Sequence, residues 1–163
     1  MQNTAKPKTM KLLPNSFVIL LLATLFIATH QLVFIPYTAE KFRAVELICM
    51  KLLRQPTAFW YKYLNLQYPD DPITHCHLRC IGITTGLYTD EFGAHLDNIY
   101  EQFKELTKLN RTEWMDAKSN CLAHQFADGL PDDLCERTFL TFKCFEVDFL
   151  LALSKPNCSK IGA

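Results

Sequence analysis

Residues 72–80 read PITHCHLRC. Cys76 and Cys80 stand four apart, and His75 and His77 flank the first of them. So many sulfur and nitrogen ligands in six residues admit three readings: a zinc site, part of a disulfide framework, or an accident of composition. On a helix, His75 and His77 project about 200° apart, so they cannot both join Cys76 and Cys80 around one tetrahedral ion. No metal is expected here, and the histidines are expected at surface or half-buried positions. The choice then turns on the compartment in which the cysteines work.

The start of the chain addresses that choice. Lys6, Lys8 and Lys11 come without an acidic residue, and FVILLLATLFIA then runs apolar from Phe17 to Ala28. A basic start followed by an apolar run of this length is the pattern of a secretory signal peptide. Residues 1–37 are assigned to it, with cleavage between about 28 and 39 by that pattern, and Met10 offers an internal start. The apolar stretch resumes at LVFIP, so residues 17–36 read as one segment also have the length of an uncleaved signal-anchor. Either way the lysines stay on the cytoplasmic side and the remainder is exported, into an oxidising environment. The expected domain is therefore 38–163, secreted and extracellular, with a short C-terminal tail.

The full chain of 163 residues carries 17 basic and 17 acidic side chains and is 49% hydrophobic. That length suits one compact domain. Without the first 37 residues the balance is 14 against 17, mildly acidic. It holds no lysine- or arginine-rich run, which argues against nucleic acid as a partner.

Beyond residue 37 the periodicity is helical almost throughout, which makes the fold class all-α. Phe42, Val45, Ile48, Cys49, Leu52 and Leu53 mark a first helix that Pro56 stops. TAFWYKYLNLQYPDDP (57–72) reads as a loop with one short helical turn. The segment holding the opening motif fades at Gly86, and Thr89 or Asp90 is expected to cap a helix striped by Phe92, Leu96, Ile99, Phe103 and Leu106. Asn110 with Glu113 makes a capping box for a helix over 111–127. PDDLCERTFLTFKCFEVDFLLAL (131–153) reads as one long helix with Pro131 in its first turn, apolar on nearly every side and thus central to a bundle. There is no internal repeat.

Seven cysteines stand at 49, 76, 80, 121, 135, 144 and 158. In a secreted domain of this size, six of them pairing as a framework is the default. Bridging Cys76 to Cys80 inside an intact helix would be strained, so each should reach a different neighbour. Cys135 and Cys144 are nine residues apart, on opposite sides of a helix, so the last helix should be stapled on both flanks. Six cysteines still allow fifteen connectivities.

The order Cys49-x26-Cys76-x3-Cys80-x40-Cys121-x13-Cys135-x8-Cys144 resembles the insect odorant-binding protein family of the six-cysteine, pheromone and general odorant-binding type. The likeness covers about residues 38–153. It implies a compact six-helix, disulfide-stapled domain with an internal hydrophobic cavity, and the pairs Cys49–Cys80, Cys76–Cys135 and Cys121–Cys144. Cys158 lies outside the pattern and is left unpaired, free to link two chains into a dimer or to capture a small thiol. The segment 57–68 does not align with the family residue by residue.

The resemblance implies a secreted carrier that reversibly binds small hydrophobic ligands such as odorants or pheromones, acting in olfaction and delivering to a membrane receptor. Candidate lining residues are Leu96, Ile99, Phe103, Phe126, Phe142, Phe145 and Phe149. The alternative is a secreted helical protein–protein factor in reproductive or gustatory secretions, with a filled core and no ligand. No cofactor is expected and no enzyme: G-x-S-x-G, H-E-x-x-H and glycine-rich phosphate loops are all absent from the sequence, and His95 and His124 read as structural. Four histidines lie beyond residue 37, and their titration between about pH 5 and 8 offers a release switch. The sequons NRT at Asn110 and NCS at Asn157 are candidate glycosylation sites, with a glycan at Asn110 competing with its cap.

Overall fold

The computed structural model describes residues 33–154. Among these the chain forms seven helices and one short ribbon. The elements are α1 (Ala39–Leu52), α2 (Thr57–Leu64), α3 (Pro72–Thr85), β1 (Tyr88–Thr89), β2 (Gly93–Ala94), α4 (Leu96–Phe103), α5 (Arg111–Gln125), α6 (Leu134–Lys143) and α7 (Glu146–Ser154). The architecture is all-α apart from the ribbon, in which Tyr88 pairs with Ala94 and Thr89 with Gly93, antiparallel. No helix among the described residues is long and apolar enough to cross a membrane. Most of the signal-peptide assignment, Cys158 and Asn157 lie outside the described residues.

Local chemistry sets most of the boundaries. Asp71 accepts from the Thr74 amide at 2.9 Å with Pro72 in the first turn of α3, and Gly86 closes that helix at φ +70°, where a side chain would be strained. Asn110 accepts from the Glu113 amide at 3.0 Å while Glu113 accepts from the Asn110 amide at 3.1 Å, a complete capping box. The amide hydrogen bond of the cap uses the Asn110 Oδ1 atom, so a glycan on the side-chain nitrogen would not displace it.

Three segments differ from the sequence reading. Residues 57–64 form two turns of helix, started by Pro56, in place of a loop. The cap expected at Thr89 or Asp90 is absent, because Gly93 at φ +73° turns the chain into the ribbon and α4 begins at Leu96. Phe92 therefore sits on the ribbon turn, 73% exposed, off the α4 stripe. The last apolar segment is two helices. Asp133, accepting from the Cys135 and Glu136 amides, starts the first at Leu134 and leaves Pro131 outside it.

The break falls at Cys144–Phe145, where both amides bond back only three residues, to the Thr141 and Phe142 carbonyls. Lys118 of α5 donates to the Cys144 carbonyl at 2.8 Å and pairs with Asp148 at 2.5 Å. One lysine thus stabilises both the interrupted turn and the start of α7. The redirected α7 is not buried all round: Val147 is 68% and Leu151 46% exposed.

The core is built on Phe42, Val45 and Cys49 of α1, Tyr63 of α2, Leu78 and Ile81 of α3, Ile99 and Phe103 of α4, Trp114 of α5, Phe139 of α6, and Phe145 and Phe149. Ile48, Leu52 and Leu53, which belong to the apolar period that marks the first helix, are exposed, whereas Glu46 is buried. The reason is a polar cluster. Arg43 donates to the Glu46 carboxylate at 2.7 Å and to the Tyr63 carbonyl at 2.8 Å, and the Tyr68 hydroxyl donates to the second Glu46 oxygen. Burial pushes the Glu46 carboxyl above its ordinary range despite these partners.

His77 is fully buried, against the expectation of a surface or half-buried residue. Its ring stacks on Tyr63 at 4.2 Å between centroids, Tyr63 stacks on Tyr68 at 5.4 Å, and neither His77 nitrogen has a hydrogen-bond partner among the described residues. Desolvation lowers its pKa to about 4. Between that value and the unfolded value near 6.5 the unfolded chain binds the extra proton. The contribution of neutral His77 is therefore intact above about pH 6.5 and lost as pH falls to about 4, a difference of about 3 kcal/mol. Urea unfolding from pH 7 to pH 4 should show wild type losing about that much more stability than His77→Phe, which keeps the stack and removes the titration. Equal slopes for the two proteins would refute this assignment.

Candidate functional site

Three disulfides hold the helices in place. Cys49–Cys80 joins α1 to α3, Cys76–Cys135 joins α3 to α6, and Cys121–Cys144 joins α5 to the end of α6. Cys76 and Cys80 thus leave one face of α3 for two different helices. The loops they close span 31, 59 and 23 residues. Closures of that length each stabilise by roughly 3–4 kcal/mol in the chain-entropy account.

The opening stretch holds no metal geometry. Both of its cysteines are bridged, His75 pairs with Asp70 at 2.7 Å and stacks on Phe139 at 4.1 Å, and His77 lies in the aromatic stack. Among the described residues no cluster of three or more histidine, cysteine or carboxylate side chains could hold an ion. His95 stands at the start of α4 without capping it, and neither it nor His124 is joined to a carboxylate among the described residues.

A helical core stapled in this way can keep space that a smaller set of constraints would let collapse. Such a space exists: a cavity of about 70 Å³. Phe42 of α1 and Leu78, Ile81 and Gly82 of α3 form one side. Leu87, Tyr88 and Ala94 close it at the ribbon, Ile99 and Phe103 enter from α4, and Thr138, Thr141, Phe142, Phe145 and Phe149 complete it from α6, the turn and α7. The aromatic wall is mutually packed, with Phe149 edge-on to Phe42 at 5.6 Å and to Phe142 at 5.4 Å. The volume is about half of the roughly 150 Å³ that accommodates benzene in an engineered helical core. A ring-sized guest would enter only by shifting a side chain.

Of the residues named from the sequence, Ile99, Phe103, Phe142, Phe145 and Phe149 converge on this cavity, whereas Leu96 and Phe126 do not. Those two line a second pocket of about 270 Å³ with Leu122, Leu130, Asp90, Glu91 and Arg137. The displacement has a plain cause: α4 starts after the ribbon, so Leu96 lies in its first turn beside β2, and Phe126 follows the end of α5. Tyr88, Ala94 and Thr141 belong to both walls, so the ribbon separates the two spaces. The sequence reading missed Phe42, Leu78, Ile81, Tyr88, Thr138 and Thr141. Leu78 and Ile81 were detectable as an i, i+3 pair beside the cysteines of α3, but nothing local marks Tyr88. None of the four histidines beyond residue 37 lines the cavity.

Residues 34–147 match the model of the PBP/GOBP family. The chain is similar to general odorant-binding protein 99b of Drosophila melanogaster, 27% identical over 78% of this chain and 88% of that protein. It is similar also to odorant-binding protein 22 of Aedes aegypti, 25% identical over 76% of this chain and 84% of that one. Among solved structures, Anopheles gambiae odorant-binding protein 22a aligns with a TM-score of 0.57 at 28% identity, covering 66% of this chain and 98% of that chain. A structure of that protein with bound cyclohexanone aligns with the same score at 27% identity, over 67% and 92% of the two chains.

Phe149 bears most directly on the aromatic wall. Phe149→Ala should lower unfolding free energy by about 3–5 kcal/mol in urea titration. It should also let a larger apolar molecule, such as naphthalene, raise the melting temperature of the variant more than that of wild type. A loss under about 1 kcal/mol would mean that the wall relaxes into the gap.

Proposed function

The chain belongs to the PBP/GOBP family, and on that premise we propose that it is a secreted carrier that reversibly binds small hydrophobic molecules, odorants or pheromones among them. The observation that carries this reading is the unfilled apolar space at the centre of a stapled helical core. Association with such a space is driven by removing the ligand's apolar surface from water. Its dimensions favour compact ligands over long chains. The cyclohexanone held by the mosquito relative is of that class. The reading is of a carrier without catalysis. The alternative of an interaction factor called for a filled core, and the described residues leave space in it. A receptor and a dimer through Cys158 form no part of the proposal.

Secretion rests on Lys6, Lys8 and Lys11 ahead of the apolar run Phe17–Ala28. Expression in insect cells should release the protein into the medium with a new N-terminus between about residues 28 and 39. Recovery of the full-length chain in the membrane fraction would favour the signal-anchor.

Carriage is tested by thermal melting with cyclohexanone. A ligand that binds only the folded state raises the melting temperature progressively with its concentration. The rise should be clear in wild type and absent in Ala94→Leu, which places an isobutyl group in the cavity wall, with helical circular dichroism unchanged. A rise of equal size in both proteins would place the ligand elsewhere.

A further inference from the structure

Of the residues that line the cavity, three carry a hydroxyl: Tyr88, Thr138 and Thr141. The two threonines have already committed their protons. Thr138 donates to the Leu134 carbonyl at 2.8 Å and Thr141 to the Arg137 carbonyl at 2.9 Å. A carbonyl can only accept, so these hydroxyls keep lone pairs for the cavity and have no proton to offer it.

Tyr88 differs. Its residue is 3% exposed, and its buried hydroxyl has no hydrogen-bond partner among the described residues. A phenol buried without a partner is unfavourable, and the other buried hydroxyls among the described residues are satisfied, as Tyr68 is by Glu46. The ring is also firmly seated. Pairing with Ala94 holds its backbone, and it lies over Gly82 of α3, where an added Cβ would come within 2.9 Å of the Tyr88 Cβ. Glycine at 82 is thus the condition for tyrosine to reach this position between the two spaces.

We propose that the Tyr88 hydroxyl is the polar anchor of the cavity, donating a hydrogen bond to an acceptor oxygen on the ligand. The preferred ligand class is then a compact apolar molecule that carries a carbonyl or ether oxygen. A pure hydrocarbon of the same shape would leave the phenol unmatched. This proposal rests on the carrier reading and adds chemical selectivity to it.

The test compares wild type and Tyr88→Phe, as full disulfide-bonded chains, against cyclohexanone and methylenecyclohexane. The two probes share one ring and differ by an oxygen or a methylene at one position. Tyr88→Phe should weaken cyclohexanone binding by about 3- to 10-fold, the span of a neutral hydrogen bond, and leave methylenecyclohexane binding unchanged. The carbonyl stretch of bound cyclohexanone should lie lower in wild type than in hexane and return to the hexane frequency in the variant. Equal losses for both probes, or a wild-type stretch at the hexane frequency, would overturn the anchor and leave the carrier standing. If wild type binds neither probe, the carrier reading fails and the anchor falls with it. The stretch in wild type alone decides the matter if the variant does not fold.

Discussion

Everything in this fold depends on α3 being held from two directions at once. Cys76 and Cys80 stand one turn apart on a single helical face, yet one leads to α6 and the other to α1. The third disulfide fastens α5 to the far end of α6, so the helices around the cavity are fixed without their side chains having to fill the space between them. In a core held by packing alone, empty volume forfeits dispersion contacts and is expensive. Here a large share of the stabilisation comes from restricting the unfolded chain, which does not depend on how well the centre is packed.

Polar groups are used sparingly and at joints. Arg43, Glu46 and Tyr68 connect α1 to the segment after α2, and Lys118 bridges α5 to the α6–α7 turn through one carbonyl and one carboxylate. Each joint gives a buried charge a partner, which is the condition for burying it at all. His77 is stacked yet unpartnered among the described residues, and it makes the neutral form of one imidazole part of the fold. Any acid response of a bound ligand would then arrive through loosening of the α2–α3 packing, since none of the described histidines lines the cavity.

The cavity and the second pocket meet at the two-residue ribbon. Its existence depends on Gly93 at positive φ, and its position depends on Gly82 yielding room for Tyr88. Two glycines, on different elements, thus place the tyrosine whose buried hydroxyl has no partner among the described residues. The aromatic residues opposite it supply the apolar surface.

Much of this was written in local chemistry. The end of α3 at Gly86, the cap at Asn110, the helical period and the cysteine spacing are all local features, so the chain alone determined the start of α5 and the all-α class, whereas the starts of α2, α4 and α6 were not read from it. The apolar cavity residues Ile99, Phe103, Phe142 and Phe149 were legible for the same reason, as aromatic and aliphatic side chains at helical spacing, whereas Thr138 and Thr141 of α6 were not. Three matters were decided only in three dimensions. Glu46 displaced Ile48 and Leu52 from the core because its partners Arg43 and Tyr68 were in place to neutralise it. The last helix broke at Cys144 because Lys118, distant in sequence, stabilises the freed carbonyl. Tyr88 reached the cavity because a residue on another element has no side chain. Local pattern records what a residue prefers, whereas burial of charge, a helix break and a tight approach each depend on what a distant segment brings beside it.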